Sequence, residues 1–251
     1  MGIAPIYSKN MILGGFQKLT LLDYPGKLAT TVFTVGCSFR CPFCHNPELV
    51  NLRLAHNEES EKNFFTFLKK RIGKLEGVCI TGGEPTIQPD LIEFIQKVKK
   101  LGFLVKLDSN GTRPDVLKKI IDARLVDFIA MDIKNQPKKY LKTAGIVETQ
   151  FIASKPGASM LDRIKLSVEM IMRSKIPYEF RTTVVPGLHT EKDFDEIAKW
   201  IKGAQAYYLQ EYREGKILDE KLKKKTKDRK IDLEKIKARI EKNFGKMGIR
   251  R

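Results

Sequence analysis

The sequence predicts an α/β fold, a partial (β/α)6 barrel of one parallel sheet with a basic helical extension at its carboxyl end. Three observations predict it. Six short runs rich in β-branched residues alternate with stretches of helical periodicity. That alternation gives parallel strands joined by helical crossovers. Eight such units close a full barrel, so six leave an opening through which a large substrate can enter. Finally, the chain has 251 residues, 42% of them hydrophobic, enough for one large core.

The elements follow in order. Leu28–Val35 reads as a buried strand and Ser60–Ile72 as a helix that places Phe64, Phe67, Leu68 and Arg71 on neighbouring turns. Gly77–Thr81 is the second strand. Asp90–Leu101 is a helix with the apolar stripe Leu91, Phe94, Ile95 and Val98. Leu104–Leu107, the helix Asp115–Ala123 and the strand Phe128–Asp132 come next. Asn135–Ser159 is long for a loop, carries Tyr140, Gly145 and Gly157, and is expected to be functional. Leu161–Ser174 is a helix facing inward through Ile164, Val168 and Ile171. Tyr178–Val184, the helix Glu191–Ile201 and the strand Ala206–Leu209 complete the six units. Residues 1–215 thus form the core domain. Residues 216–251 are a lysine-rich extension ending in an amphipathic helix that carries Leu233, Ile236, Ile240 and Phe244.

Composition excludes several classes. No apolar run is long enough for a membrane-spanning helix. The first residues, MGIAPIYSKN, lack the basic flank and apolar stretch of a secretory signal, and Pro5 and Tyr7 fit a myristoylation signal poorly. Three of the four cysteines fall within eight residues and Cys79 stands alone. A disulfide framework would spread them, so the crowding points to a metal site in a reducing cytoplasm. The net charge is +17, and residues 216–251 carry 15 Lys/Arg against 6 Asp/Glu, a net of +9. With almost no aromatic interleaving, this reads first as a solvated face, with nucleic acid possible but not favoured.

The chemistry concentrates at strand ends, where α/β sheets carry their sites. Gly36-Cys37-Ser38-Phe39-Arg40-Cys41-Pro42-Phe43-Cys44-His45-Asn46 follows the first strand directly. A structural zinc ion would need a fourth ligand from a second paired cluster, and the chain has none, although His45 keeps zinc open. Iron–sulfur clusters normally take four thiolates. Three leave one iron without a protein ligand, an open position of the kind catalytic metal sites keep. The second strand ends in Thr81-Gly82-Gly83-Glu84-Pro85, where two glycines let the backbone approach a ligand closely and Glu84 can pair with an ammonium. The third ends in Asp108-Ser109-Asn110-Gly111 and the fourth in Met131-Asp132-Ile133-Lys134, where an Asp132–Lys134 ion bridge is the plain alternative to a binding role. Arg181, inside an apolar strand, needs an acidic partner. Cys79 reads as a small buried hydrophobe, His189 as a residue leading into a helix, and Trp200 as core.

The cysteine spacing, with Phe43 before the last thiol, resembles the signature of the radical S-adenosylmethionine (radical SAM) superfamily. That resemblance implies a single 4Fe–4S cluster on Cys37, Cys41 and Cys44 whose free iron takes the amino and carboxylate groups of S-adenosylmethionine. It implies reductive cleavage of the cosubstrate to a 5′-deoxyadenosyl radical. It also implies that Phe43, Gly82, Gly83, Glu84, Asp108, Ser109, Asp132, Lys134 and Arg181 contact the cosubstrate or a nearby monovalent cation. The segments Phe16–Lys18, Leu21–Lys27 and His45–Leu49, with Ile80–Pro85, Lys106–Arg113, Ala130–Lys134 and Arg181–Gly187, look like the activating proteins of anaerobic ribonucleoside-triphosphate reductase. Pyruvate formate-lyase activating enzymes share the plan. The resemblance spans roughly residues 14–215 and fades after Glu214. It implies an oxidoreductase that takes hydrogen from a glycine of a partner glycyl-radical enzyme, with reduced flavodoxin or ferredoxin as electron donor. The Asp23–Gly26 and Asn135–Ser159 loops are the expected grips for that partner. A radical enzyme acting on RNA or a small metabolite, and a non-enzymatic electron carrier or zinc module, are the competing readings.

Overall fold

A computed structural model describes residues 11–50, 60–146, 158–227 and 229–251. Pro5, Tyr7, His56, Gly157 and the 147–157 part of the long loop lie outside the described residues.

A single eight-stranded sheet runs in sequence order from β1 (Leu13–Thr20) through β2 (Ala29–Thr34), β3 (Gly77–Gly82), β4 (Leu104–Ser109), β5 (Phe128–Asp132), β6 (Tyr178–Val184) and β7 (Ala206–Glu211) to β8 (Lys246–Arg250). β2 to β7 are the six expected strands, all parallel. Two further strands flank them. β1 forms an antiparallel hairpin with β2, and β8 pairs parallel with β7. β1 lacks an alternating apolar pattern because its middle, Gln17–Leu19, is exposed. Lys246–Arg250 is short, charged and half buried, as suits an edge strand. The carboxyl-terminal segment therefore continues the sheet, and Leu222, Leu233, Ile236 and Ile240 join the common core.

The helices connecting the parallel strands are α1 (Pro47–Val50), α2 (Glu61–Lys69), α3 (Leu91–Lys100), α4 (Pro114–Asp122), α5 (Tyr140–Thr143), α6 (Met160–Arg173), α7 (Glu191–Trp200), α8 (Lys221–Thr226) and α9 (Leu233–Ile240). Their starts are written in the sequence. Ser60 accepts from the Asn63 amide at 3.1 Å, and Ser159–Asp162 and Thr190–Asp193 form capping boxes. The apolar stripe of α3 is buried throughout, with Phe94 stacked on Phe64 of α2 at 5.5 Å. Burying side chains of this size contributes about 1.5–3 kcal/mol each. Phe244 falls beyond α9 and packs against Tyr207 of β7 at 5.0 Å.

Register brings the chemistry together. Cys79 sits beside Lys106, Asp108 beside Ala130, and Asp132 beside Arg181. Pleating puts neighbours in register on one face, so Cys79, Lys106, Asp108, Asp132 and Arg181 all face the concave interior. Among the described residues, no helix is long and apolar enough to cross a membrane.

Candidate active site

The cysteine loop begins where β2 stops. Gly36 turns it with φ of 100°, in the left-handed region glycine favours, and donates its amide to the Leu49 carbonyl at 2.7 Å. Gly82 and Gly83 make the contact that seats the loop. A Cβ on Gly82 would lie 2.4 Å from the Thr34 nitrogen, and one on Gly83 would lie 2.0 Å from the Gly36 oxygen. The close approach they permit is thus between the tip of β3 and the chain itself, where the sequence alone suggests a ligand, because strand pairing carries the β3 tip past the end of β2. The Arg40 amide donates to the Ala144 carbonyl at 3.0 Å just after α5, and Phe39 packs edge-on to Tyr140. From the far side, Leu218 and Asp219 donate their amides to the carbonyls of Cys44 and Pro42 at 3.1 and 2.9 Å. His45 Nε2 meets the Arg213 carbonyl at 2.9 Å. The stretch after β7 therefore straps the cysteine loop down.

All the predicted site residues line one cavity of about 220 Å³. Cys37, Cys41, Phe43 and Cys44 form one wall. Gly82, Gly83, Glu84, Asp108, Ser109, Asp132, Lys134 and Arg181 come from the strand tips. Burial pushes the Cys37 thiol up to about 12 and the Cys41 thiol up to about 11, and raises Cys44 as well. These are soft donors held in their neutral form, which a bound metal would deprotonate. Among the described residues, no three His, Cys, Asp or Glu side chains converge as a single ion needs. Three thiols on one cavity wall are a soft donor set of the kind that holds an iron–sulfur cluster.

Glu84 is 1% exposed. Its carboxylate accepts from the Asn110 amide at 2.6 Å, the Ser109 hydroxyl at 2.8 Å, the Thr86 amide at 3.1 Å and the Thr86 hydroxyl. Burial raises its pKa, while those donors oppose the rise. Deeper in, Arg181 bridges two acids, with Nε 3.0 Å from Asp132 Oδ1 and Nη1 3.2 Å from Asp108 Oδ2. Lys134 meets Asp132 at 2.9 Å, so the plain ion bridge is present and Arg181 joins it. Lys134 also lies over the Phe43 ring at 5.8 Å. Burial would raise the Asp132 and Asp108 carboxyls. The neighbouring cations, Lys134 and Arg181 for Asp132 and Arg181 and Lys106 for Asp108, outweigh it and hold both below the usual range.

Several contributors were not singled out in sequence. Lys106, 1% exposed, pairs with Asp108 and reaches Cys79 Sγ at 3.7 Å. A lysine in the apolar run Leu104-Val105-Lys106-Leu107 was the available signal. Cys79 is fully buried, as expected, with this polar contact added. Asn110 and Thr183 also line the cavity. Tyr140 donates to the Asp132 carbonyl at 3.0 Å. His189 precedes the α7 cap Thr190, as expected, and also receives the Val185 amide at Nδ1 (3.0 Å) and gives Nε2–H to the Lys134 carbonyl (2.8 Å), bracing that strand end. The Asp23–Gly26 loop lies elsewhere. Tyr24 packs beside Gly77 and Phe128, at the amino ends of β3 and β5, and none of the loop lines the cavity.

The family model of the radical SAM superfamily matches residues 31–201, more than half of the chain and the whole of this site. The chain belongs to the radical SAM superfamily. Membership implies a 4Fe–4S cluster and S-adenosylmethionine as cofactors, and the thiol wall and polar strand tips fit both. A putative glycyl-radical enzyme activating enzyme of Methanocaldococcus jannaschii is 32% identical over 218 residues, 85% of each chain. The pyruvate formate-lyase-activating enzyme of Listeria monocytogenes is 35% identical over 136 residues, 50% of this chain and 54% of its own. Among solved structures, SuiB of Streptococcus suis superposes with a TM-score of 0.60 at 13% identity. That match covers 86% of this chain but only 47% of SuiB, so it bears on the fold alone.

Proposed function

We propose that this radical SAM protein is a glycyl-radical enzyme activase. The observation that carries the reading is the single cavity onto which three thiols and the strand-tip charges open together. The relatives' names and the span of the Methanocaldococcus match support the choice of target. Cys37, Cys41 and Cys44 would hold the cluster. When bound, the cluster supplies an electron that opens the sulfonium of S-adenosylmethionine and releases a 5′-deoxyadenosyl radical.

The protein's own residues bind and orient. The cosubstrate carries an ammonium and a carboxylate. Glu84, kept in place by Thr86, Ser109 and Asn110, offers a fixed negative charge for the ammonium at the mouth of β3. Lys134 and Arg181 offer cations further along the same strand tips, where a carboxylate can displace part of their pairing with Asp132. Phe39, Phe43 and Val50 supply the apolar part of the lining. Gly82 and Gly83 keep the β3 tip against the cysteine loop, so the two walls cannot drift apart. Residues 1–215 would carry this chemistry, with 216–251 bracing it. A glycyl-radical enzyme would be the partner, and a reduced flavodoxin or ferredoxin the donor.

The test combines the reduced, reconstituted protein, S-adenosylmethionine and a partner deuterated at glycine. A glycyl doublet by electron paramagnetic resonance, with deuterium in the 5′-deoxyadenosine, is the expected outcome. Cosubstrate cleavage with neither signal would move the target to RNA or a small metabolite.

A further inference from the structure

Asn110 joins the two halves of the site. It follows β4 and is buried. Its backbone amide donates to Glu84 Oε2 at 2.6 Å. Its Oδ1 accepts from the Thr112 amide at 3.1 Å and the Thr112 hydroxyl at 2.8 Å. A backbone N–H can only donate, so the oxygen of the side-chain amide must face Thr112. The Nδ2 group is thereby turned to the cysteine loop, where it meets Ser38 Oγ at 3.0 Å and Cys37 Sγ at 3.7 Å. The Phe39 amide approaches the same sulfur at 3.3 Å.

We propose that Asn110 is a positioning residue that sets the reduction potential of the cluster through an N–H···S bond to Cys37. The proposal rests on the reading of Cys37 as a cluster ligand. Hydrogen bonds to cluster sulfurs are among the levers that set such potentials. The reduced cluster carries one more negative charge, part of it on the thiolate sulfurs. A donor aimed at one sulfur stabilises the reduced form more than the oxidised one, and so eases uptake of the electron. Nδ2 has two hydrogens, so it can serve Ser38 and Cys37 at once. Thr112 fixes its direction, and the Asn110–Glu84 bond ties that direction to the wall where the cosubstrate ammonium is expected. No other side chain among the described residues donates to the Cys37 sulfur.

The experiment is a redox titration of the reconstituted full-length protein, followed by electron paramagnetic resonance, with iron and sulfide counted in every sample. Asn110→Leu removes the donor. Asn110→Asp keeps the acceptor for Thr112 and puts an oxygen where the N–H was, so it preserves the loop if the leucine variant does not fold. Asn110→Leu is expected to lower the equilibrium constant for one-electron reduction about tenfold, a shift of about 59 mV to more negative potential. Asn110→Asp is expected to lower it by at least as much, because its carboxylate also places a negative charge beside the sulfur. Ser38→Ala, which removes the neighbouring acceptor and leaves the N–H···S bond, is expected to change it less than twofold. Wild-type potential in both Asn110 variants, at full iron content, overturns the proposal. An equal shift in Ser38→Ala also overturns it, because general loosening of the loop would then suffice. Absence of any cluster in the wild-type protein would instead refute the ligand assignment beneath it.

Discussion

The two walls of the cavity are built on opposite electrostatic plans. On the strand-tip wall the aspartates are matched from within the protein. Asp108 and Asp132 are matched by Lys106, Lys134 and Arg181, and the carboxylates stay ionised despite burial. The thiol wall is incomplete. Burial disfavours every thiolate there and outweighs the opposing pull of the Lys134 cation. The contrast teaches which wall folding alone completes and which awaits a metal. Buried charges persist when paired, whereas buried thiols are stable as neutral groups and give up protons only to a metal.

The most severe way to break the comparison is to empty the thiol wall. Replacing Cys37, Cys41 or Cys44 by alanine is expected to abolish the iron–sulfur chromophore after anaerobic reconstitution. Cys79→Ala should retain about one 4Fe–4S centre per chain, with iron analysis as the readout. Iron loss in the Cys79 variant with its fold intact would shift a ligand to the concave interior.

Breaking the other wall should instead cost stability. Arg181→Met leaves Asp108 and Asp132 short of their shared cation, and an unpaired buried charge typically costs about 3–5 kcal/mol. Chemical denaturation of the metal-free protein measures it. A loss below about 1 kcal/mol would mean that Lys106 and Lys134 suffice.

A gentler change tests whether the paired wall also binds. Lys134→Ala should keep its cluster and lose on the order of 1.5–3 kcal/mol of S-adenosylmethionine affinity, read by calorimetry. Unchanged affinity would leave Lys134 a purely structural partner of Asp132.

The smallest effect concerns His189, which braces the Lys134 strand end. Burial lowers its pKa from the usual 6.5. The unfolded chain therefore binds this proton more readily, and the contribution to stability is complete above about pH 6.5 and declines as pH falls below it. Denaturation midpoints at pH 7.5 and 5.5 should differ more in the wild type than in His189→Gln. Equal slopes would remove the imidazole as the source.

Much of this was legible in the linear chain. The six parallel strands carry apolar, β-branched runs that report burial on both faces. The α3 stripe reports its one buried side, and the cysteine spacing and strand-end carboxylates mark the cavity. β1 and β8 were not legible because edge strands bury only part of their length, so no period-two pattern forms in LGGFQKLT or KMGIR. The strap that holds the Cys41–Cys44 turn was invisible for a different reason. It acts through the backbone amides of Leu218 and Asp219, which have no side-chain signature.

The sequence by itself determined the parallel architecture, the thiol triad and the acids and bases at the strand ends, because each depends on residue type at short spacing. Only the tertiary structure decided how they are partnered. Arg181 takes both Asp108 and Asp132 because register and pleat bring three strands' side chains to one concave face. Gly83 touches Gly36 because strand pairing carries the β3 tip past the end of β2. Asn110 faces Cys37 because Thr112 fixes which end of a near-symmetric amide points inward. The first two choices, and the meeting of Asn110 with Cys37, are made by contacts between segments dozens of residues apart, and local spacing carries no record of them.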